Sequence, residues 1–166
     1  HKNVQTLLTA FSMAEVDLAI GLVMTGTPDE AMFKEIEQAG LTDRIRFIGG
    51  LSDEQLARWY RGAIALACPS SYEGFGMPVL EAMACGVPVV ATRVGAFEEL
   101  VVQDKTGALI EAGNTAAMVA AAKDILTNPE RLAAQSKAAR AHMEANFRIE
   151  QEAAAITSVY RRLLNS

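Results

Sequence analysis

Histidine and cysteine are scarce, two of each in 166 residues. Cys68 and Cys85 stand singly in apolar surroundings, whereas a disulfide framework or a zinc cluster needs four or more ligands at close spacing, so both are expected to be buried free thiols of a reducing compartment. His1 and His142 are too few for a catalytic zinc site. His142 lies in an alanine-rich, charged helical stretch and is expected to be solvent-facing or half-buried, outside any site. Basic charge is also in deficit, fifteen Lys and Arg against twenty Asp and Glu, a net charge of −5. With no basic stripe, binding along a nucleic acid or an anionic bilayer is not expected, and any anion must be held locally. No apolar run reaches the roughly 18 residues of a membrane span, and no secretory leader pattern opens the chain, so a cytoplasmic protein is expected. The strings GxGxxG, GxxxxGK followed by Ser or Thr, GxSxG and HExxH are all missing. So is any Asp-x-Asp pair that would hold a divalent ion, and neither a metal nor a bound cofactor is expected.

What is present is an apolar content of 51%, enough for a sizeable core. Val4, Leu7, Leu8 and Phe11 recur at helical spacing and are followed by the apolar run Leu18 to Thr25, ending at Gly26. An amphipathic segment after Pro28 stops at Gly40, and a strand Ile45 to Ile48 follows. Ser52 with Gln55 forms a capping box for a helix carrying Leu56, Trp59 and Tyr60 on its buried stripe. Strands are expected at Ala63 to Cys68, Val87 to Ala91 and Gly107 to Ile110, with helices opening at Pro78, near Phe97 and after Asn114. Asn128 and Pro129 break the pattern before the carboxyl-terminal helices, about 130–164.

Short apolar strands alternating with amphipathic helices require a parallel sheet covered on both faces. The expected fold is therefore α/β, a Rossmann-like doubly wound parallel sheet in three layers, α/β/α, forming one domain over residues 1–166. Ligands of such sheets lie beyond the carboxyl ends of the strands, which directs attention to the loops after Gly26, Ile48, Cys68 and Ala91.

The loop after Cys68 is the most informative. In Glu73-Gly-Phe-Gly-Met-Pro-Val-Leu-Glu81, Gly74 and Gly76 allow close backbone approach or positive φ, and the helix start near Pro78 offers open amides to a diphosphate. Glu73 is placed to accept hydrogen bonds from sugar hydroxyls, and Glu81, in the first helical turn, from the vicinal hydroxyls of a ribose. Equally, the glycines make only a tight turn and Glu81 only complements the helix dipole, a stabilisation of about 0.3 to 1 kcal/mol. Spacing alone leaves both readings standing.

The stretch Glu73 to Thr92 resembles the hallmark of the group 1 glycosyl transferases, retaining nucleotide-sugar-dependent enzymes of the GT-B fold whose signature is two glutamates separated by seven residues. Lys2-Asn3, Phe47-Ile-Gly49, Leu66 to Ser70, Gly95 to Val101 and Thr106-Gly107 resemble the carboxyl-terminal, donor-binding domain of that family. The resemblance implies that the amino-terminal acceptor domain, and the domain's first strand with its diphosphate-binding arginine, belong to a longer protein. It departs from the family at Ala96 and Lys105, where glycine is common.

Carried over residue by residue, the resemblance makes Glu73 the catalytic residue at the transferred sugar. Gly74, Phe75, Gly76, Met77 and Val79 would line the sugar and diphosphate, Glu81 would hold the ribose, Lys2 would pair with the diphosphate, and the backbone near Ile48 would meet the base. It implies a nucleoside diphosphate sugar as donor substrate, no metal, and transfer to an acceptor with retention. The leaving diphosphate takes the acceptor's proton. The alternative is a stand-alone domain that binds a nucleotide or nucleotide sugar without transfer. The last helix, with Ile156, Val159, Tyr160 and Leu163, is expected to pack in part on the amino-terminal half.

Overall fold

In the computed structural model, which describes residues 2–13 and 20–164, strands and helices alternate along the chain. The strands are β1 (Leu22–Thr25), β2 (Ile45–Ile48), β3 (Leu66–Cys68), β4 (Val89–Thr92) and β5 (Gly107–Ile110). The helices are α1 (Val4–Met13), α2 (Glu30–Gln38), α3 (Asp53–Gly62), α4 (Met77–Ala84), α5 (Phe97–Leu100), α6 (Thr115–Thr127), α7 (Pro129–Asn146) and α8 (Ile149–Leu164). The expected first strand is shorter at its start, and Leu18 and Ala19 lie outside the described residues.

Every ladder is parallel, Leu22 opposite Ile45, Leu66 opposite Val89 and Val89 opposite Gly107, so each pair of strands needs a helical crossover. The strands fall into two groups rather than one continuous sheet: β1-β2, and β3-β4-β5 with β4 in the centre. All four residues of β4 are buried, as a strand covered on both faces demands. Val89, Ala91 and Leu109 point to one side, where they meet Val79 and Met83 of α4, Phe97 of α5 and Ala139 of α7. Val90 and Ile110 point to the other, against Ala10 of α1 and Met118 and Ile125 of α6. A third cluster joins Leu8 of α1 and Ile36 of α2 to Leu22 and Met24 of β1 and Ile45 and Phe47 of β2. α1 thus packs on both strand groups, and the three layers α/β/α are in place.

Helix boundaries follow the capping residues. Gln55 donates its amide to Ser52 Oγ (3.3 Å) and accepts the Ser52 amide on Oε1 (2.8 Å), the reciprocal pair expected at the start of α3. Asn114 and Asn128 each accept an amide three residues on, from Ala117 and Arg131, both at 3.0 Å. α8 is exposed along its length, including Ile156, Val159, Tyr160 and Leu163. Among the described residues no helix is long and apolar enough to cross a membrane.

Candidate functional site

The strands β3 and β4 deliver their carboxyl ends side by side, and the loop from Pro69 to Gly76 rises between β3 and α4. Its base is fastened to β4: Thr92, fully buried, donates Oγ1 to the Ser70 carbonyl. Ser70 is buried too, and its hydroxyl approaches Glu73 Oε2 at 3.4 Å. The same oxygen receives Lys2 Nζ at 3.0 Å, with the glutamate side chain 16% exposed and the lysine 60%. Gly95 backs the loop from the β4–α5 turn; at φ 52°, a Cβ there would run into the Glu73 carbonyl oxygen. Three separate elements therefore fix Glu73. Burial, reinforced by the charge of Glu73 and opposed more weakly by Lys2, pushes the Cys68 thiol up to about 12, so the sulfur stays protonated and is no nucleophile.

Gly76 sits at φ 83° and ψ 39°, the left-handed conformation that reverses the chain into α4. A Cβ there would also lie 2.8 Å from a ring carbon of Phe97. Because Gly76 takes the cap, α4 begins at Met77, one residue before Pro78. The open first turn expected from the sequence is correspondingly narrower, since the amides of Val79 (2.9 Å) and Leu80 (3.3 Å) both return to the Gly76 carbonyl. The amides of Gly74, Phe75, Gly76 and Met77 find no acceptor among the described residues. Gly74 has nothing within 4 Å of a Cβ position, and Phe75 and Met77 are more than half exposed beside it.

Two expectations change here. Val79 is at 0% exposure and its amide is taken, so it packs the core and leaves neither side chain nor N–H for a ligand. Glu81 is the fifth residue of α4, one residue further in than expected and past the first turn, where the helix dipole no longer explains it. Instead Glu81 is half-buried and accepts the Tyr60 hydroxyl on Oε2 at 3.1 Å, across the α3–α4 contact. A cavity of about 240 Å³ opens there, lined by Asp53, Leu56, Ala57, Tyr60, Glu81 and Cys85. Tyr60 appeared in the sequence only as part of a buried stripe. The available signal was its hydroxyl, which a buried tyrosine must satisfy.

Ile48 closes β2, and its carbonyl accepts the Gly26 amide at 2.8 Å. That pairing ties the two strand ends together and moves the open backbone at this corner to Gly49 and Gly50. A second cavity, about 270 Å³ between β5, α6 and α7, lies toward the opposite end of β5, where Arg131 pairs with Asp104 and Asp124 at 2.8 Å each. Among the described residues no three of His, Cys, Asp and Glu converge as metal ligands would.

The structure thus brings Lys2, Ser70 and Glu73 into one cluster and Tyr60 and Glu81 into another, joined by the glycine loop. Residues 1–142 match the family described as glycosyl transferases group 1. The chain belongs to that family. It is 47% identical over 138 residues to the lipopolysaccharide core biosynthesis mannosyltransferase LpsB of Rhizobium meliloti (strain 1021), covering 81% of this chain and 39% of that protein. Among solved structures, the sucrose-phosphate synthase of Thermosynechococcus elongatus superposes with a TM-score of 0.89 at 30% identity, over 99% of this chain and 43% of the other. The carboxyl-terminal domain of a glycosyl transferase group 1 family protein (LpcC) from Francisella tularensis superposes at 0.80 with 27% identity, over 89% of this chain and 80% of that domain. This group 1 glycosyl transferase chain is accordingly a carboxyl-terminal domain of the GT-B fold and spans about two-fifths of the length of the LpsB relative.

Proposed function

We propose that this domain is the donor half of a retaining, metal-independent glycosyltransferase, cytoplasmic in location, that binds a nucleoside diphosphate sugar and passes the sugar to an acceptor held by an amino-terminal domain. The observation that carries it is the arrangement around the glycine loop. Three backbone amides without an acceptor among the described residues, those of Gly74, Phe75 and Met77, belong to exposed residues between a carboxylate fixed at one end and a carboxylate fixed at the other. Such a set of N–H groups at a helix start suits the oxygens of a diphosphate. Glu73 then faces the sugar and Glu81 the ribose, and Lys2 adds a mobile cation beside the departing phosphate.

In front-face transfer the leaving diphosphate takes the acceptor's proton, and the chain's work is to position the sugar and to stabilise charge growing on the phosphate oxygens. One preorganised donor of this kind commonly contributes about 3 to 4 kcal/mol to the barrier. The free state of Cys68 and Cys85 supports the cytoplasmic location. The division of the strands supports a further strand upstream of Lys2, lying between β1 and β3 and completing one parallel sheet, because α1 already spans both groups. The mannosyl activity named for LpsB makes a mannose conjugate the first donor to test.

Calorimetric titration of the full-length protein with UDP, GDP, ADP and their common hexose conjugates tests this reading, repeated on Glu81→Ala. Saturable binding to one base, weakened by the substitution, is expected, together with transfer only when the acceptor domain is present. Failure of every nucleotide to saturate the full-length protein would overturn it.

A further inference from the structure

Glu81 recognises a ribose well only if both carboxylate oxygens are aimed at the two hydroxyls at once. A glutamate carboxylate turns freely about its last torsion unless something holds it. In this fold the holder comes from another helix: Tyr60, in the last turn of α3, donates its phenol to Glu81 Oε2 at 3.1 Å. We propose that Tyr60 is a positioning residue, locking the carboxylate plane of Glu81 so that Oε1 and the remaining lone pair of Oε2 meet the vicinal diol of a nucleoside. The proposal rests on the assignment of Glu81 to the ribose.

Several observations support it. Tyr60 and Glu81 open onto the same cavity of about 240 Å³, whose other walls, Leu56, Ala57 and Cys85, are largely apolar, the Cys85 thiol being directed to the Ala57 carbonyl at 3.9 Å. Asp53 at the rim brings a second acceptor and no donor. Burial, then the charge of Glu81, raises the ionisation of Tyr60 well above its ordinary value, so the phenol remains a donor throughout the physiological range. The partner carboxylate is held in the same manner by a different pair, Lys2 and Ser70 on Glu73 Oε2. Each glutamate of the motif therefore has its Oε2 engaged by a side-chain donor of the protein.

The role predicts a chemical signature that simple packing would not give. The affected quantity is the preference for a ribonucleotide over its deoxy counterpart. The test is calorimetry on the full-length protein with UDP, GDP and ADP, and with the 2′-deoxy and 3′-deoxy forms of the one that binds, for wild type, Tyr60→Phe, Glu81→Gln and the double variant. Tyr60→Phe keeps the ring and its packing. It is expected to weaken the ribonucleotide five- to tenfold while leaving the deoxy forms within twofold, and to add nothing further in the Glu81→Gln background. If Glu81→Gln leaves the ribo-to-deoxy ratio unchanged, or no nucleotide binds wild type, the ribose assignment falls and takes the proposal with it. If Glu81→Gln abolishes the ratio but Tyr60→Phe weakens all forms equally, or none, the ribose assignment stands and the Tyr60 role is overturned. Tyr60→Trp, which retains a ring and places a donor elsewhere, should behave as Tyr60→Phe; restoration of the full ratio by Trp would also overturn it.

Discussion

Lys2 Nζ stands 3.0 Å from Glu73 Oε2, an ion pair between residues 71 positions apart in the chain. It connects the segment before α1 to the loop after β3, and it places the cation assigned to the diphosphate directly on the carboxylate assigned to the sugar. The lysine is 60% exposed, so the pair contributes little to folding, about 0.2 to 1 kcal/mol. In the proposed function its role is the charge it brings to the diphosphate.

Lys2→Met is therefore expected to change stability by less than about 1 kcal/mol and to lower turnover at least tenfold. Thermal denaturation and initial rates on the full-length protein measure the two effects separately. Turnover within twofold of wild type would reduce Lys2 to a solvated surface residue.

The two glutamates should differ in kinetic character. Glu73→Gln is expected to lower kcat more than Glu81→Gln does, whereas Glu81→Gln raises the donor KM, by about ten- to a hundredfold for the loss of charged hydrogen bonds. Loss of turnover in Glu81→Gln with donor affinity unchanged would contradict the ribose assignment.

Gly95 and Gly74 provide a contrast between crowding and openness. Gly95→Ala forces a side chain against the Glu73 carbonyl at a positive φ, and should lower stability by about 1 to 3 kcal/mol together with activity. Gly74→Ala has open space around it and should leave the melting temperature almost unchanged while weakening donor binding, because its missing side chain serves the ligand. Equal donor affinities for Gly74→Ala and wild type would place the diphosphate away from this loop.

Alkaline stability should report on Cys68. The folded thiol titrates near 12 against an ordinary value of 9.0, so the folded state binds more protons in between. Its contribution is complete below pH 9 and is lost as pH rises toward 12, at a slope of at most about 1.4 kcal/mol per pH unit. Denaturant midpoints followed from pH 8 upward should fall less steeply in Cys68→Ala than in wild type. Parallel slopes would show that the thiol stays exposed to solvent.

The order of strands and helices was legible because both periodicities and caps were local: Ser52 with Gln55 and Asn114 each announce a helix within four residues, whereas Asn128, the cap of α7, read only as a break. The loop Glu73 to Glu81 was legible as a motif. Its geometry was not, since the supports of Glu73 come from Lys2, Thr92 and Gly95, residues that only tertiary packing brings near. Tyr60 escaped for the same reason, its partner lying on another helix. Val79 was misplaced because a motif gives a residue's neighbourhood and not which way its side chain turns. The division of the strands was equally hidden, as ladder pairing depends on which edges meet.

α1 packs Leu8 into the cluster under β1 and β2, and two residues later packs Ala10 into the cluster under β4 and β5. Its ten residues make a stiff rod about 15 Å long. Lys2 precedes the first residue of that rod by two positions, with Asn3 at φ 50° between them. The segment that carries the ammonium to Glu73 is thereby anchored on both strand groups at once, so the ion pair depends on the packing of the whole sheet and not on the glycine loop alone.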